Sequence, residues 1–154
     1  MAKTDSARIR ILTFGELTAH DLHAILKIRV DVFVVEQNCA YPELDGLDPG
    51  CTHALAFDEE GAVVGTARIA PPGLIYAQWS IGRVAVAKSH RGKNFGKDLM
   101  VAAMDYCDRT CDTAQPIKIA AQTYLEKFYV GLGFEATGDP YLWDGILHVD
   151  MVRA

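Results

Sequence analysis

The chain has 154 residues, of which 50% are hydrophobic and 23% are charged, with 13 glycines and 6 prolines. These proportions are typical of a soluble globular protein and exclude disordered, collagen-like and coiled-coil chains. One domain, residues 1–154, is expected, because a chain of this length buries about 70% of its unfolded surface without a metal or disulfide.

The sequence contains no run of about 18 apolar residues, and its amino-terminal segment lacks the apolar stretch and cleavage site of a signal peptide. Four cysteines are present without CxxC spacing, and we interpret them as small apolar residues of a reduced protein: Cys39, Cys51, Cys107 and Cys111. We therefore expect a cytoplasmic protein that binds neither a metal nor a membrane.

The charge is unevenly distributed along the chain. The formal net charge of −5 argues against a nucleic-acid partner. Residues 61–97, however, contain six Lys or Arg and no acid, whereas residues 36–60 contain seven acids and no Lys or Arg. The basic stretch suits an anion and the acidic stretch a cation, although such runs are also common on solvated surfaces that bind nothing.

In chain order, residues 8–14 alternate polar and apolar side chains as a half-buried strand does, and Thr18 with Asp21 predicts the capping box of a helix that extends to Phe33. Residues 38–51 have the composition of a loop. Residues 52–57 and 62–69 predict a β-hairpin, and residues 75–86 a further long strand.

The second half of the chain predicts a helix over residues 95–111, a short buried strand over residues 117–121, and a helix from Thr123 to Leu132 that stops at Gly133. Strands over residues 134–137 and 146–151 then close the sheet. The fold class is therefore α/β (α+β), a layered mixed structure.

A basic, glycine-rich segment, SHRGKNFGK at residues 89–97, separates the strand that ends at Val86 from the following helix. Gly and Asn tolerate positive φ, which turns backbone N–H groups inward, and the helix N-terminus adds partial positive charge. The segment therefore predicts an anion site, with a simple turn as the alternative. It matches neither the P-loop, since Gly92 and Gly96 are one residue too close, nor a GxGxxG dinucleotide motif.

Residues 81–86 and 91–100 resemble the acetyl-CoA signature of the GNAT N-acetyltransferases. That signature has Gln or Arg first, Gly fourth and Gly or Ala sixth. Here it reads RGKNFG at residues 91–96, so Asn94 replaces the middle glycine. Because Asn is the residue other than Gly that best tolerates the left-handed conformation, we expect the loop to keep its shape.

A second segment, YLEKFYVGLGF at residues 124–134, resembles the later helix of the same family, with Gln122 where Asn is more usual. Residues 29–37 and 41–46 resemble its ElaA-like branch. The resemblance covers most of the chain and implies a GNAT-like twisted mixed β-sheet of about six to seven strands with helices on both faces.

The resemblance implies acetyl-CoA as co-substrate and direct transfer of its acetyl group to a primary amine of a small molecule or peptide. Tyr129 would protonate the leaving thiolate, although its ring could instead only pack under Phe134. The residues implied in binding acetyl-CoA are Val84, Ala85, Val86, Arg91, Gly92, Lys93, Asn94, Gly96, Lys97, Gln122 and Tyr129.

The base that deprotonates the amine is less well defined. Glu36, Asp45, His53 and His148 are the candidates, with a chain of water molecules as the alternative. We take Glu36 and His148 as candidate catalytic residues and Glu36, Asp45 and His53 as candidate acceptor-binding residues. The acidic stretch favours a cationic amine.

Two further questions stay open at this point. A non-catalytic module that binds acyl-CoA as a sensor is the alternative function, because Asn94 departs from the motif and the base is unassigned. A homodimer formed through an exposed strand is also compatible with the sequence.

Overall fold

The computed structural model describes residues 8–154; residues 1–7, part of the segment used to argue against a signal peptide, lie outside the described residues. In the described part no helix combines the length and apolarity needed to cross a membrane. The strands and helices are β1 Ile9–Thr13, α1 Ala19–Arg29, β2 Thr52–Phe57, β3 Val63–Ala70, β4 Ser80–Val86, α2 Phe95–Thr110, β5 Ile117–Gln122, α3 Glu126–Val130, β6 Glu135–Ala136, β7 Tyr141–Trp143 and β8 Ile146–Arg153.

The strands form two antiparallel sheets. The first has the order β1-β2-β3-β4, and the second has the order β5-β8-β6 with β7 also paired to β8. The sheets meet in parallel at the start of β5, where Trp79 bridges Ile117 and the Lys118 N–H donates to the Trp79 carbonyl at 2.8 Å. No ladder continues beyond this bridge in residues 8–154, so the facing edges of β4 and β5 are not paired with each other toward their carboxyl ends; we call the region between these edges the cleft.

Helices cover both faces of the first sheet. Every residue of β3 from Val64 to Ala70 is buried, and alternate residues of a strand point to opposite faces, so neither face is open. Both α1 and α2 pack against β3. The approach of α2 is close, since a Cβ at Gly65 would lie 3.0 Å from Cδ1 of Leu99. The predicted arrangement of helices on both faces is confirmed.

The first helix begins as predicted and ends differently. Thr18 accepts from the Asp21 N–H at 3.0 Å, and Asp21 accepts from the Thr18 N–H at 3.1 Å, which is the capping box. After Arg29, however, the chain widens into a π-helix, Val30–Glu36. Four of its seven residues are Val, a β-branched type with slightly lowered α-helix propensity.

Other predicted boundaries were wrong. The strand expected over residues 75–86 begins only at Ser80, because residues 71–78 turn, with the Gly73 N–H donating to the Tyr76 carbonyl at 2.7 Å. The helix expected from Thr123 begins as a 3₁₀ turn, so α3 has only five residues, although Gly133 stops it at φ +98° as predicted. β7 was not predicted, and the strands number eight in residues 8–154.

Candidate active site

The loop after β4 has the conformation that the sequence predicts. Asn94 is left-handed at φ +65° and Gly92 has φ +80°. The first hydrogen bond of α2 runs from the Asp98 N–H to the Asn94 carbonyl at 3.0 Å, and no side chain caps the helix. The N–H groups of the first turn are therefore left without intrahelical partners, which suits an anion such as a pyrophosphate. The residues present fit the phosphates of a CoA thioester.

Arg91, at the start of this loop, contacts a residue predicted for a different role. Its guanidinium forms two hydrogen bonds with the Glu36 carboxylate, at 2.6 and 2.7 Å, and its Nε donates to the Val86 carbonyl at 3.2 Å. The hydrogen bond from Arg91 lowers the pKa of Glu36. Glu36 is therefore a weak proton acceptor, because its carboxylate is held by a cation.

The next residue, Gln37, contacts the other side of the cleft. Its side-chain amide donates to that of Gln122 at 3.0 Å and accepts from it at 3.2 Å. Gln122 ends β5, whereas Arg91 follows β4. Two consecutive residues at the end of the π-helix, Glu36 and Gln37, thus connect the carboxyl ends of the two separating strands. Nothing in the sequence singled out Gln37.

His148 lies directly opposite Gln122 in the register of β5 and β8. Its Nδ1 is 2.8 Å from the Ile146 carbonyl. A carbonyl only accepts hydrogen bonds, so Nδ1 carries the hydrogen and Nε2 keeps its lone pair in the neutral ring. The ring stacks on Tyr141 at 6.1 Å and lies 5.5 Å from the half-exposed Trp143. Residues 8–154 offer Nε2 no hydrogen-bond partner.

Tyr129 lies on α3, directly after β5. Its ring packs edge-on against Phe128 and Phe134, with centroids 5.1 and 6.0 Å away. Burial raises the pKa of Tyr129 to about 12, so the phenol is protonated at neutral pH. No side chain in the described part of the molecule accepts a hydrogen bond from its hydroxyl. The Tyr129 ring thus packs against Phe134, as the alternative to a catalytic role requires, but this packing leaves its hydroxyl free.

The middle of β4 contains a β-bulge. Thr66 pairs with Ala85 and Arg68 with Gly82, so that two residues of β4, Arg83 and Val84, stand opposite the single residue between them on β3. A bulge takes backbone groups out of the ladder. Val84 and Val86 are half-buried and Ala85 is buried. The edge of β4 that faces the cleft is therefore free to pair with a chain of amides such as pantetheine. The bulge itself was not predicted.

Asp45, which is exposed, and His53, which is buried, belong to a network that contains buried ions. Arg68 binds both oxygens of Asp45, at 2.9 and 3.0 Å. Burial opposes ionisation of Asp45, but the hydrogen bonds from Arg68 and the Leu47 N–H, together with the charges of Arg68 and Arg83, lower its pKa. His53 is fully buried, with Nε2 3.0 Å from the Asp48 carbonyl, and burial lowers its pKa. The acceptor-binding role expected of both residues stays a prediction.

The same network removes the basis for expecting a cationic acceptor. Glu43, Asp45 and Asp48 pair with three arginines that the sequence places far from them: Arg29, Arg68 and Arg83. Glu36 is paired with Arg91. Four of the seven acids in residues 36–60 are therefore paired with arginines within the fold, so the charge of these four is no argument for a cationic acceptor.

Comparison with known proteins places this fold and cleft in a family. Residues 29–154 match the model of the acetyltransferase (GNAT) domain. An acyl-CoA N-acyltransferase from Pseudomonas aeruginosa superposes with a TM-score of 0.87, at 34% identity over 95% of this chain and 99% of that one. The chain belongs to the GNAT family and is an N-acetyltransferase, with an acyl-CoA as co-substrate.

The branch of the family follows from two further matches. Protein ElaA of Escherichia coli is 35% identical over 144 residues, which are 92% of this chain and 93% of that protein. The crystal structure of Escherichia coli ElaA superposes with a TM-score of 0.86 over 95% of this chain and 98% of that one. A protein of Schizosaccharomyces pombe is 36% identical over 138 residues, 90% of this chain and 91% of that protein. This chain is a GNAT acetyltransferase of the ElaA-like branch, as its sequence predicts.

Proposed function

We propose that this protein transfers the acetyl group of acetyl-CoA to a primary amine of a small molecule or peptide. One observation carries the proposal: three features suited to a CoA thioester belong to β4 and to the helices that follow β4 and β5 in the chain. They are the uncapped first turn of α2, the free edge of β4 at Val84, and the hydroxyl of Tyr129.

The chemistry needs two proton transfers. The amine nitrogen attacks the thioester carbonyl, a C–N bond forms, the C–S bond breaks, and the thiolate takes the proton of Tyr129. A free N–H of the β4 bulge would stabilise the oxyanion that forms in between. The amine gives its proton to Nε2 of His148, which is free to accept. We prefer His148 to Glu36, whose carboxylate is held by Arg91.

The pKa of Tyr129 suits a buried thiolate. A thiol in water has a pKa of about 8.5, so a phenol at about 12 would transfer its proton roughly 3.5 units uphill, about 5 kcal/mol. Burial changes the comparison, because it raises the pKa of a thiol as well: in this chain it raises that of Cys107 to about 12. Burial of the leaving thiolate beside Tyr129 would therefore raise its pKa as well and reduce the difference between the two groups.

Thermal unfolding with ligands tests the donor. Acetyl-CoA, CoA, ATP and NAD are added at equal concentration, and acetyl-CoA and CoA alone should raise the melting temperature. A ligand at 100 times its Kd adds about 2.7 kcal/mol, or several degrees for a domain of this size. Equal shifts with ATP, or none with CoA, would contradict the proposed donor.

Release of free thiol then tests the acceptor. The enzyme and acetyl-CoA are mixed with single primary amines that differ in charge and size: putrescine, spermidine, lysine, glutamate, tyramine and benzylamine. The expected result is thiol release matched one to one by acetylated amine in the mass spectrum. Thiol release without acetylated product would contradict transfer to an amine.

A further inference from the structure

Arg83 has a backbone conformation that its residue type does not favour. It stands in the β4 bulge at φ +51°, in the left-handed region. For residues other than Gly, Asn and Asp this conformation costs about 1–2 kcal/mol. Strained backbone persists only where the surrounding structure holds it, and it is frequent at functional sites. The contacts of the Arg83 side chain show what holds it.

The guanidinium of Arg83 is anchored to the loop that follows the π-helix. Its Nε donates to the Glu43 carboxylate at 3.0 Å, and its Nη2 donates to the Glu43 carbonyl at 3.2 Å and to the Asp45 carboxylate at 3.4 Å. The guanidinium also lies 5.5 Å from the centre of the Tyr41 ring. Its donors are directed at the loop, not at the cleft.

The anchor is itself rigid. The Glu43 carboxylate is buried and accepts a 2.5 Å hydrogen bond from Arg29 of α1. Asp45 is held through both oxygens by Arg68, which pairs with Gly82 in the ladder. The Asp45 carboxylate therefore contacts the strand facing the bulge as well as the bulge residue, Arg83, and fixes one relative to the other.

We infer that Arg83 is a positioning residue: Glu43 and Asp45 hold its guanidinium so that β4 keeps the strained bulge, which takes backbone groups out of the ladder. Arg83 acts through the backbone of its own strand and does not contact the substrates. This inference rests on the proposed function, in which a bulge N–H faces the thioester oxygen. It gives the acidic residues 43 and 45 a role in catalysis that needs no contact with the acceptor.

Two substitutions at position 83 separate this role from others. Arg83→Gln removes the anchor but leaves a residue that resists φ +51°, so the bulge relaxes and kcat should fall about 30-fold. Arg83→Gly also removes the anchor but accepts positive φ, so kcat should stay within about fivefold of wild type. The Kd for CoA, measured by calorimetry, should change less than about threefold in both variants.

The assay uses the full-length enzyme with acetyl-CoA and the best amine of the panel above, and kcat is normalised to the CoA-binding stoichiometry. The matched control is Arg109→Gln, which removes an exposed arginine of α2 whose ion pair within residues 8–154 is with Asp105, and it should leave kcat unchanged. Asp45→Asn should lower kcat in the wild-type background but have less effect in the Arg83→Gly background, because Asp45 then has no Arg83 guanidinium to hold, although it still binds Arg68.

Three results would overturn the inference: unchanged kcat in Arg83→Gln, equal losses in Arg83→Gln and Arg83→Gly, or an Asp45→Asn effect that is the same in both backgrounds. If Arg83→Gln does not fold, the inference is still tested by comparing the effect of Asp45→Asn on kcat in the wild-type and Arg83→Gly backgrounds. A wild-type enzyme that acetylates no amine would instead overturn the proposed function. The two failures are therefore distinguishable.

Discussion

At the scale of single residues, the hydroxyl of Tyr129 is open to a direct test. Tyr129→Phe keeps the ring that packs against Phe128 and Phe134 and removes only the proposed proton donor. We expect kcat to fall about 100-fold, with little change in the Kd for CoA. Tyr106→Phe is the control, since that hydroxyl lies on α2, 3.4 Å from Thr52. Equal kcat in the two variants would contradict a role for Tyr129 in proton transfer.

His148→Gln tests the proposed base through its pH dependence. An alkyl amine with a pKa of about 10 is protonated at neutral pH, so loss of the base should lower kcat about 100-fold at pH 7. The difference in kcat between His148→Gln and the wild type should become smaller as the pH approaches 10, where the amine is already unprotonated and needs no base. The exposed His23→Gln is the control. A deficit independent of pH would show that His148 serves another purpose.

The conformation of a residue can be predicted from the sequence when the residues that determine it are its neighbours in the chain. The left-handed Asn94, the stop at Gly133 and the Thr18 capping box follow from neighbouring residues, and all three are confirmed. The φ +51° of Arg83 depends on carboxylates about 40 positions earlier in the chain. Residue type alone gives no signal for it, because arginine has no preference for positive φ.

At the scale of elements, the conformation of the loop between β4 and α2 predicts that two substitutions at position 94 change the Kd for CoA to different extents. Asn94→Gly keeps the φ of +65° without strain, and we expect the Kd for CoA to change less than about threefold. Asn94→Val forces a β-branched residue into the left-handed region at a cost of about 2 kcal/mol, so the Kd should rise at least tenfold. Calorimetry measures both, and equal Kd values would contradict a role for the loop conformation in binding.

The elements that the sequence predicts best are those in which apolar residues recur at a regular spacing over many residues. α2 was predicted to within one residue, because its buried positions recur over four turns. β7 has three residues and was missed, since so short a run carries no period. The π-helix and the bulge of β4 were also missed, because each is a departure from a regular element and not an element with a pattern of its own.

At the scale of the whole molecule, charge that is clustered in the sequence becomes neutral in space. The acidic residues 36–60 and the basic residues 61–97 suggested two surfaces with different ligands. Folding instead pairs Asp45 with Arg68 and Glu43 with Arg83. Charges of the acidic run are therefore neutralised by charges of the basic run. A count of charges along the chain gives no information about this pairing, which depends on how β3 and β4 lie against the loop before β2.

The buried network also predicts how stability depends on pH. Burial opposes ionisation of Asp48, yet Arg29 and Arg68 hold its pKa below its ordinary value, and Arg68 does the same for Asp45. A carboxyl whose pKa is lower in the folded state stabilises the fold above its unfolded pKa of about 3.9 and loses that effect as the pH falls through the folded value. The free energy of unfolding should therefore be nearly constant from about pH 7 to 5 and fall steeply below about pH 4.

Asp48→Asn separates this network from the other carboxylates. It removes a buried charge that two arginines share, at 2.8 and 3.3 Å, and should lower the free energy of unfolding by about 3 kcal/mol at pH 7. Asp31→Asn, which removes an exposed partner of Lys27, should cost less than about 0.5 kcal/mol. Urea unfolding between pH 3 and 7 measures both. Below pH 4, the free energy of unfolding should fall less steeply with pH in Asp48→Asn than in the wild type and in Asp31→Asn. The reason is that the network has lost one of the carboxyls that take up protons only on unfolding. Equal slopes in all three proteins would place the acid sensitivity elsewhere in the chain.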